Sequence, residues 1–160
     1  MTTNEKTDLF LKSKIIAVVG VSINKPGPSN LVYDLFKKRN LPVFGISKSL
    51  IEYKNDKIYA NLSDLPQIPE AVFIALNKVN TLKITAECIE LGVKMIWMHD
   101  LMGTCVQKRN SASSVNEEAV QLAEKNSIIV ISGSCPMQIL QTDIFHLCLN
   151  KVNYWMGRTK

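Results

Sequence analysis

Five short apolar runs recur along this chain: Ile15–Val19, Val43–Ile46, Val72–Leu76, Val93–Met98 and Ile128–Ile131. Each is apolar on both faces, as strands buried inside a parallel sheet are. Between them lie stretches with helical spacing. Ser29 to Arg39 places Leu31, Val32, Leu35 and Phe36 on one side. Asn80 to Leu91 carries Leu82, Ile84, Cys88 and Ile89, and stops at Gly92, as helices often do. Ser114 to Lys125 carries Val115, Ala119, Val120 and Leu122, and opens on Ser114-Val115-Asn116-Glu117, the spacing of a capping box. The alternation predicts an α/β fold. We expect a Rossmann-like, doubly wound parallel sheet of about five strands, in three αβα layers.

The 160 residues suit a single domain spanning 1–160, with one core covered by helices on two sides. Two segments fall outside the alternation. Glu5 to Leu11 predicts a short leading helix, and Pro136 to Gly157 a helical tail using Ile139, Leu140, Phe145, Leu147 and Trp155. No apolar stretch approaches the roughly 18 residues of a membrane span. Met1 to Lys14 lacks the long apolar region of a secretory signal, so a cytoplasmic protein with no membrane partner is expected. Cys88, Cys105, Cys135 and Cys148 form no C-x-x-C pair and have no histidine at zinc-ligand spacing. This predicts reduced thiols and no metal. The formal net charge is +5, much of it in Lys37-Lys38-Arg39 and in Lys151, Arg158 and Lys160. Those runs read as helix ends complementing the helix dipole. Without an RNA-recognition motif, zinc finger or basic-aromatic interleaving, nucleic acid is not the expected partner.

The most specific local feature is the first strand together with the turn at its end. Ile15-Ile16-Ala17-Val18-Val19 runs into Gly20-Val21-Ser22, then Lys25-Pro26-Gly27-Pro28, and a helix begins near Ser29-Asn30. Gly20 lets the backbone turn sharply as it leaves the strand. Ser22 can donate to a phosphate oxygen. Ser29 can cap the helix, whose N-terminus favours an anion. This is the layout of a nucleotide-binding turn. It is not the dinucleotide fingerprint G-x-G-x-x-G, because Val21-Ser22 stand where the second glycine belongs. A conventional NAD enzyme is therefore disfavoured.

Several motifs in fixed order carry a resemblance. They are Gly20-x-Ser22 with Ser29; Ile46-Ser47-Lys48 at the end of the second strand; Tyr59-Ala60-Asn61-Leu62-Ser63-Asp64-Leu65-Pro66; Trp97-Met98; and Ser134-Cys135-Pro136. From about Lys12 onward the chain resembles the small stand-alone CoA-binding proteins. Their domain is similar to the N-terminal domain of the succinyl-CoA synthetase α subunit. Two positions depart from the family pattern. Gly27 stands where many relatives have a loop arginine, with Lys25 nearby, and Lys48 replaces a proline after the second strand. The resemblance implies coenzyme A or an acyl-CoA as ligand, with the pyrophosphate on Gly20, Val21, Ser22 and the start of the helix at Ser29. Lys25 would assist, and Ser47 and Lys48 would approach the adenosine end. The strand-end loops at Asn77 and at Met98-His99 would line the rest of the groove.

Physical readings of three residues stay open beside the resemblance. Lys48, following the second strand, can serve the ribose phosphate as a point charge or be a surface lysine. His99, after the fourth strand, can touch the ligand or act as an acid or base, or simply occupy the rim. Cys135 before Pro136, at a helix start, can have a lowered pKa and exchange disulfides with a thiol, or be structural. His146 reads as packing. No P-loop and no G-x-S-x-G elbow occurs. The synthetase reaction needs a second domain with a phosphorylated histidine and an ATP-grasp partner, and is not expected of this polypeptide alone. The sequence therefore predicts a non-catalytic CoA-binding module, with a homodimer or an enzyme as its protein partner. The alternative is an NAD(P)- or acyl-CoA-dependent enzyme using His99 or Cys135.

Overall fold

A computed structural model of the chain describes residues 1–100 and 113–140. The expected tail helix beyond Leu140, together with Cys105, His146, Cys148, Lys151, Arg158 and Lys160, lies outside them. Seven strands form one sheet: β1 (Ile16–Val19), β2 (Val43–Ile46), β3 (Glu52–Tyr53), β4 (Asp56–Tyr59), β5 (Ala71–Ile74), β6 (Met95–His99) and β7 (Ile129–Ser134). Among the described residues five helices accompany them: α1 (Thr3–Leu11), α2 (Pro28–Lys38), α3 (Lys78–Glu90), α4 (Glu117–Lys125) and α5 (Pro136–Leu140). The spatial order is β3-β4-β2-β1-β5-β6-β7. All pairings are parallel except β3 with β4. The architecture is the expected three-layer, Rossmann-like one.

The strand count exceeds the expected five because a hairpin extends the sheet beyond β2. Lys54 and Asn55 both take positive φ, 51° and 68°, which suits the tight turn between two strands. The hairpin strands read Glu-Tyr and Asp-Lys-Ile-Tyr and lack an apolar run. Side-chain pairs fasten the hairpin to α2. Tyr33 donates to Asp56 at 2.9 Å, Lys37 pairs with Asp56 at 2.9 Å, and Lys54 pairs with Asp34 at 2.7 Å. The Lys37 ammonium holds the Asp56 carboxyl below its usual range, while burial and the Asp56 bond push the Tyr33 phenol up.

Alternate residues of the buried strands face opposite layers. Ile16 and Val18 of β1, Phe73 of β5 and Trp97 of β6 meet Phe10, Val32 and Phe36 of α1 and α2. Ala17, Val19, Val72, Ile74, Ile96 and Met98 face Cys88 of α3 and Ala119 and Ala123 of α4. The connection from β1 thus leaves over one face and that from β5 over the other. The carboxyl ends of these neighbouring strands are a topological switch point, the place where ligands bind in open α/β sheets.

Helix ends refine the sequence reading. Gly92 follows α3 at φ 73°, the expected stop. α1 starts at Thr3, two residues before the expected Glu5, because Thr2 and Glu5 form a reciprocal capping box. α4 is capped by Asn116, whose side chain accepts from the Ala119 N–H at 3.1 Å, and not by Ser114. The Ser114 N–H is bonded to the His99 carbonyl at 2.9 Å, which keeps that residue outside the helix.

Candidate functional site

The turn after β1 is built by close backbone approach. Gly20 has φ 105°, and its N–H donates to the Ile46 carbonyl of β2 at 3.0 Å. A Cβ there would stand 2.8 Å from the Ala75 carbonyl oxygen, too near for any side chain. One side chain laces the loop beyond. The Asn30 amide oxygen accepts from the N–H groups of Ser22 and Gly27, both at 3.3 Å, and its nitrogen donates to the Ser22 carbonyl at 2.9 Å. The Ser22 hydroxyl accepts from the Lys25 N–H at 3.2 Å. Ser29 does not cap α2. That place belongs to Gly27, with Pro28 in the first helical turn. The buried Ser29 hydroxyl instead donates to the Gly20 carbonyl at 2.5 Å. The turn is therefore held in shape by α2 before any ligand arrives.

Over this turn lies a cavity of about 320 Å³, between the carboxyl ends of β1 and β2 and the first turns of α3. Val19, Val21, Ile46, Leu76 and Ile84 give it an apolar lining. Ser22, Ser47, Lys48, Asn80 and Lys83 supply the polar groups. Of the expected site residues, Gly20, Val21, Ser22, Ser47 and Lys48 come together here. Ser47 is set by β4, its N–H donating to the Tyr59 carbonyl at 2.8 Å.

The other expected residues sit elsewhere. Lys25 is exposed on the loop after β1. Asn77 is exposed and caps α3, its side chain accepting from the Asn80 N–H at 2.9 Å. Met98 is fully buried in the layer beneath α3 and α4. His99 is 3% exposed, its ring 6.2 Å from that of Phe73. Asn80, Lys83 and Ile84 are among the lining residues that the sequence reading missed. They share one face of α3 at i, i+3 and i+4, a signal available in the sequence once that helix is known to follow a strand at the ligand edge.

Of the two readings of Cys135, the surroundings do not favour the lowered pKa. Burial pushes its thiol up to about 11, against the stabilising N–H groups of Met137 and Gln138. Asp100 adds to the rise. The thiol is thus protonated at neutral pH. Its contribution to stability is complete below about pH 9 and is lost as pH rises through about 11. Alkylation of Cys135 at pH 8, followed site by site by mass spectrometry, is expected to be about a hundredfold slower in the folded protein than in urea. Equal rates would contradict the buried placement.

The family described as CoA binding domain matches residues 14–141. This chain belongs to that family. The match spans the β1 turn, the cavity and the Cys135-Pro136 junction. No curated protein matches the chain by sequence. Solved structures share its fold. A hypothetical protein from Pyrococcus horikoshii is 21% identical, with TM-score 0.72, over 86% of this chain and 89% of its own. A Thermus thermophilus structure is 16% identical, with TM-score 0.70, over 93% and 99%. The dinucleotide-forming acetyl-coenzyme A synthetase 1 of Candidatus Korarchaeum cryptofilum is 22% identical, with TM-score 0.63. That match covers 77% of this chain but 26% of the synthetase. Among the described residues, no helix is long and apolar enough to cross a membrane, and no cluster of His, Cys, Asp or Glu could hold a metal ion.

Proposed function

We propose that this member of the CoA binding domain family binds coenzyme A or an acyl-CoA as a stand-alone module without catalysing a reaction. The observation that carries the reading is the cavity at the switch point, walled by the Gly20–Ser22 turn and by Lys48. At about 320 Å³ it lies at the small end of ligand sites and suits the adenosine part of the molecule. The pyrophosphate would lie on Gly20, Val21 and Ser22, with Lys25 above it. The Ser22 hydroxyl, already accepting from Lys25, keeps its own proton for a phosphate oxygen. The pantetheine arm would leave along the sheet edge toward the loop carrying Asn77, and onward to the ends of β5 and β6 near Met98 and His99.

The enzyme alternative is less well supported. Cys135 is buried with a raised pKa, and neither it nor His99 lines the cavity. A cytoplasmic setting, one domain, and a homodimer or an enzyme that exchanges CoA with the module complete the proposal.

The test is a thermal-shift series with CoA, acetyl-CoA, NAD and NADP. A ligand at a hundredfold excess over its Kd stabilises by about 2.7 kcal/mol, so CoA or acetyl-CoA should raise the Tm by several degrees. Stabilisation by NADP without any by CoA would overturn the assignment. Steady hydrolysis or transfer of an acyl group from acetyl-CoA would overturn the non-catalytic part.

A further inference from the structure

The cavity carries positive charge from two sides. Lys48 reaches it from the end of β2 and Lys83 from the second turn of α3. Among the described residues, no aspartate or glutamate lines it. Three lysines elsewhere form ion pairs, Lys37 with Asp56, Lys54 with Asp34 and Lys94 with Glu70. Among the described residues neither Lys48 nor Lys83 has such a partner. An anion bound between two ammonium groups at the border of one apolar-floored pocket is attracted by both.

The kind of anion follows from position and charge. In sites that read an unphosphorylated ribose, the end of the second strand supplies an acidic residue to the sugar hydroxyls. Here Ser47-Lys48 occupies that place, and Lys83 stands across from it on α3. Each phosphate of an esterified pyrophosphate carries a single negative charge. A phosphate monoester carries about −1.5 to −2 near neutral pH, with three oxygens available to accept. Two lysines match the monoester better than either match a bare ribose or one lysine matches a dianion.

We propose that Lys83 is a specificity-determining residue. With Lys48 it forms a two-lysine clamp selecting adenine nucleotides that carry a phosphate monoester on the ribose. The inference rests on the nucleotide-binding reading of this cavity and adds the class of ligand. Two sources offer the chemistry, the 3′-phosphate of CoA and the 2′-phosphate of NADP, and the experiment separates them.

Calorimetric titration of wild type, Lys83→Gln, Lys83→Arg and Lys48→Gln with CoA, dephospho-CoA, NADP and NAD tests the clamp. Both lysines are exposed, so the variants should keep the wild-type Tm without ligand. Wild type should bind CoA at least 10-fold more tightly than dephospho-CoA, the scale of a hydrogen bond to a charged group. Lys83→Gln should remove most of that ratio by weakening CoA roughly 10-fold, while dephospho-CoA changes less than twofold. Lys83→Arg should retain most of it. Equal weakening of CoA and dephospho-CoA by Lys83→Gln would overturn the clamp, as would no change in either. Wild type binding CoA and dephospho-CoA equally would also end the clamp but leave the CoA assignment standing. NADP bound more tightly than NAD, with the same dependence on Lys83 and with CoA ignored, would uphold the clamp and end the CoA assignment. Binding of none of the four ligands would end both.

Discussion

Gly20→Ala is expected to destabilise the protein by roughly 2–4 kcal/mol and lower its Tm on the order of 10 °C. Two costs combine. A residue with a side chain must be forced to φ 105°, and its Cβ must be fitted 2.8 Å from the Ala75 carbonyl oxygen and 3.1 Å from Leu76 Cδ2. Leu76 Cδ2 ends a flexible side chain and can give way, but the Ala75 carbonyl oxygen is backbone directly after β5, the strand next to β1, and cannot. Relief requires β1 and β5 to part at their carboxyl ends, where the proposed pyrophosphate seat lies, so CoA binding should fall further than stability. Gly27→Ala is the internal control. Gly27 has φ −146° and only one atom, the Lys25 carbonyl oxygen at 3.9 Å, near the added carbon. Its cost should stay within about 1 kcal/mol. Differential scanning calorimetry of the two variants decides the matter, and a Gly20→Ala protein melting with wild type would refute the strained turn.

Trp97→Ala should cost more, roughly 3–5 kcal/mol, because it empties the centre of one core layer. Trp97 is fully buried on β6. Its ring meets Phe10 edge-on at 5.3 Å and Phe73 at 6.4 Å. These contacts join α1 to the sheet, so the cavity would form beneath the leading helix. The indole N–H also donates to the Ser134 carbonyl at 3.1 Å. Trp97→Phe tests that bond separately. The Ser134 carbonyl keeps a second donor in the Asp100 N–H at 3.3 Å, so this variant should lose about 1–2 kcal/mol. Urea denaturation measures both. A phenylalanine variant as damaged as the alanine one would assign the effect to the hydrogen bond and contradict the packing account.

The parallel sheet was legible because five of its strands are short apolar runs with residues buried on both faces, a pattern with few other uses. The glycine turn after β1 and the stop at Gly92 were legible because positive φ selects glycine. What escaped depends on neighbours distant in sequence. The β3–β4 hairpin is polar and short, and its order comes from Asp34, Tyr33 and Lys37 of α2. Ser29 looked like a cap because its type and place allow it, yet the nearby Gly20 carbonyl claimed its hydroxyl. Asn30 drew no notice, although it binds the loop at three points. Lys83 carries no signal of its own in the sequence, since only the tertiary fold turns that face of α3 toward β2. Cys135 stayed open between a lowered pKa and a structural role because burial, invisible in the sequence, decides between them.

The hairpin also decides how the sheet meets other molecules. Without it β2 would be an outer strand, offering apolar Val-Phe-Gly-Ile backbone to any extended chain. With it the outermost strand on that side is two residues long, Glu52-Tyr53, followed by Lys54. On the opposite side, the Lys6 ammonium of α1 occupies the Val130 carbonyl of β7 at 2.9 Å. A strand from another copy would have to pair with a short charged ribbon at one border or evict a lysine at the other. Growth by strand addition, the usual route from open sheets to fibres, is thus opposed at both borders of the described sheet by residues that do not line the cavity.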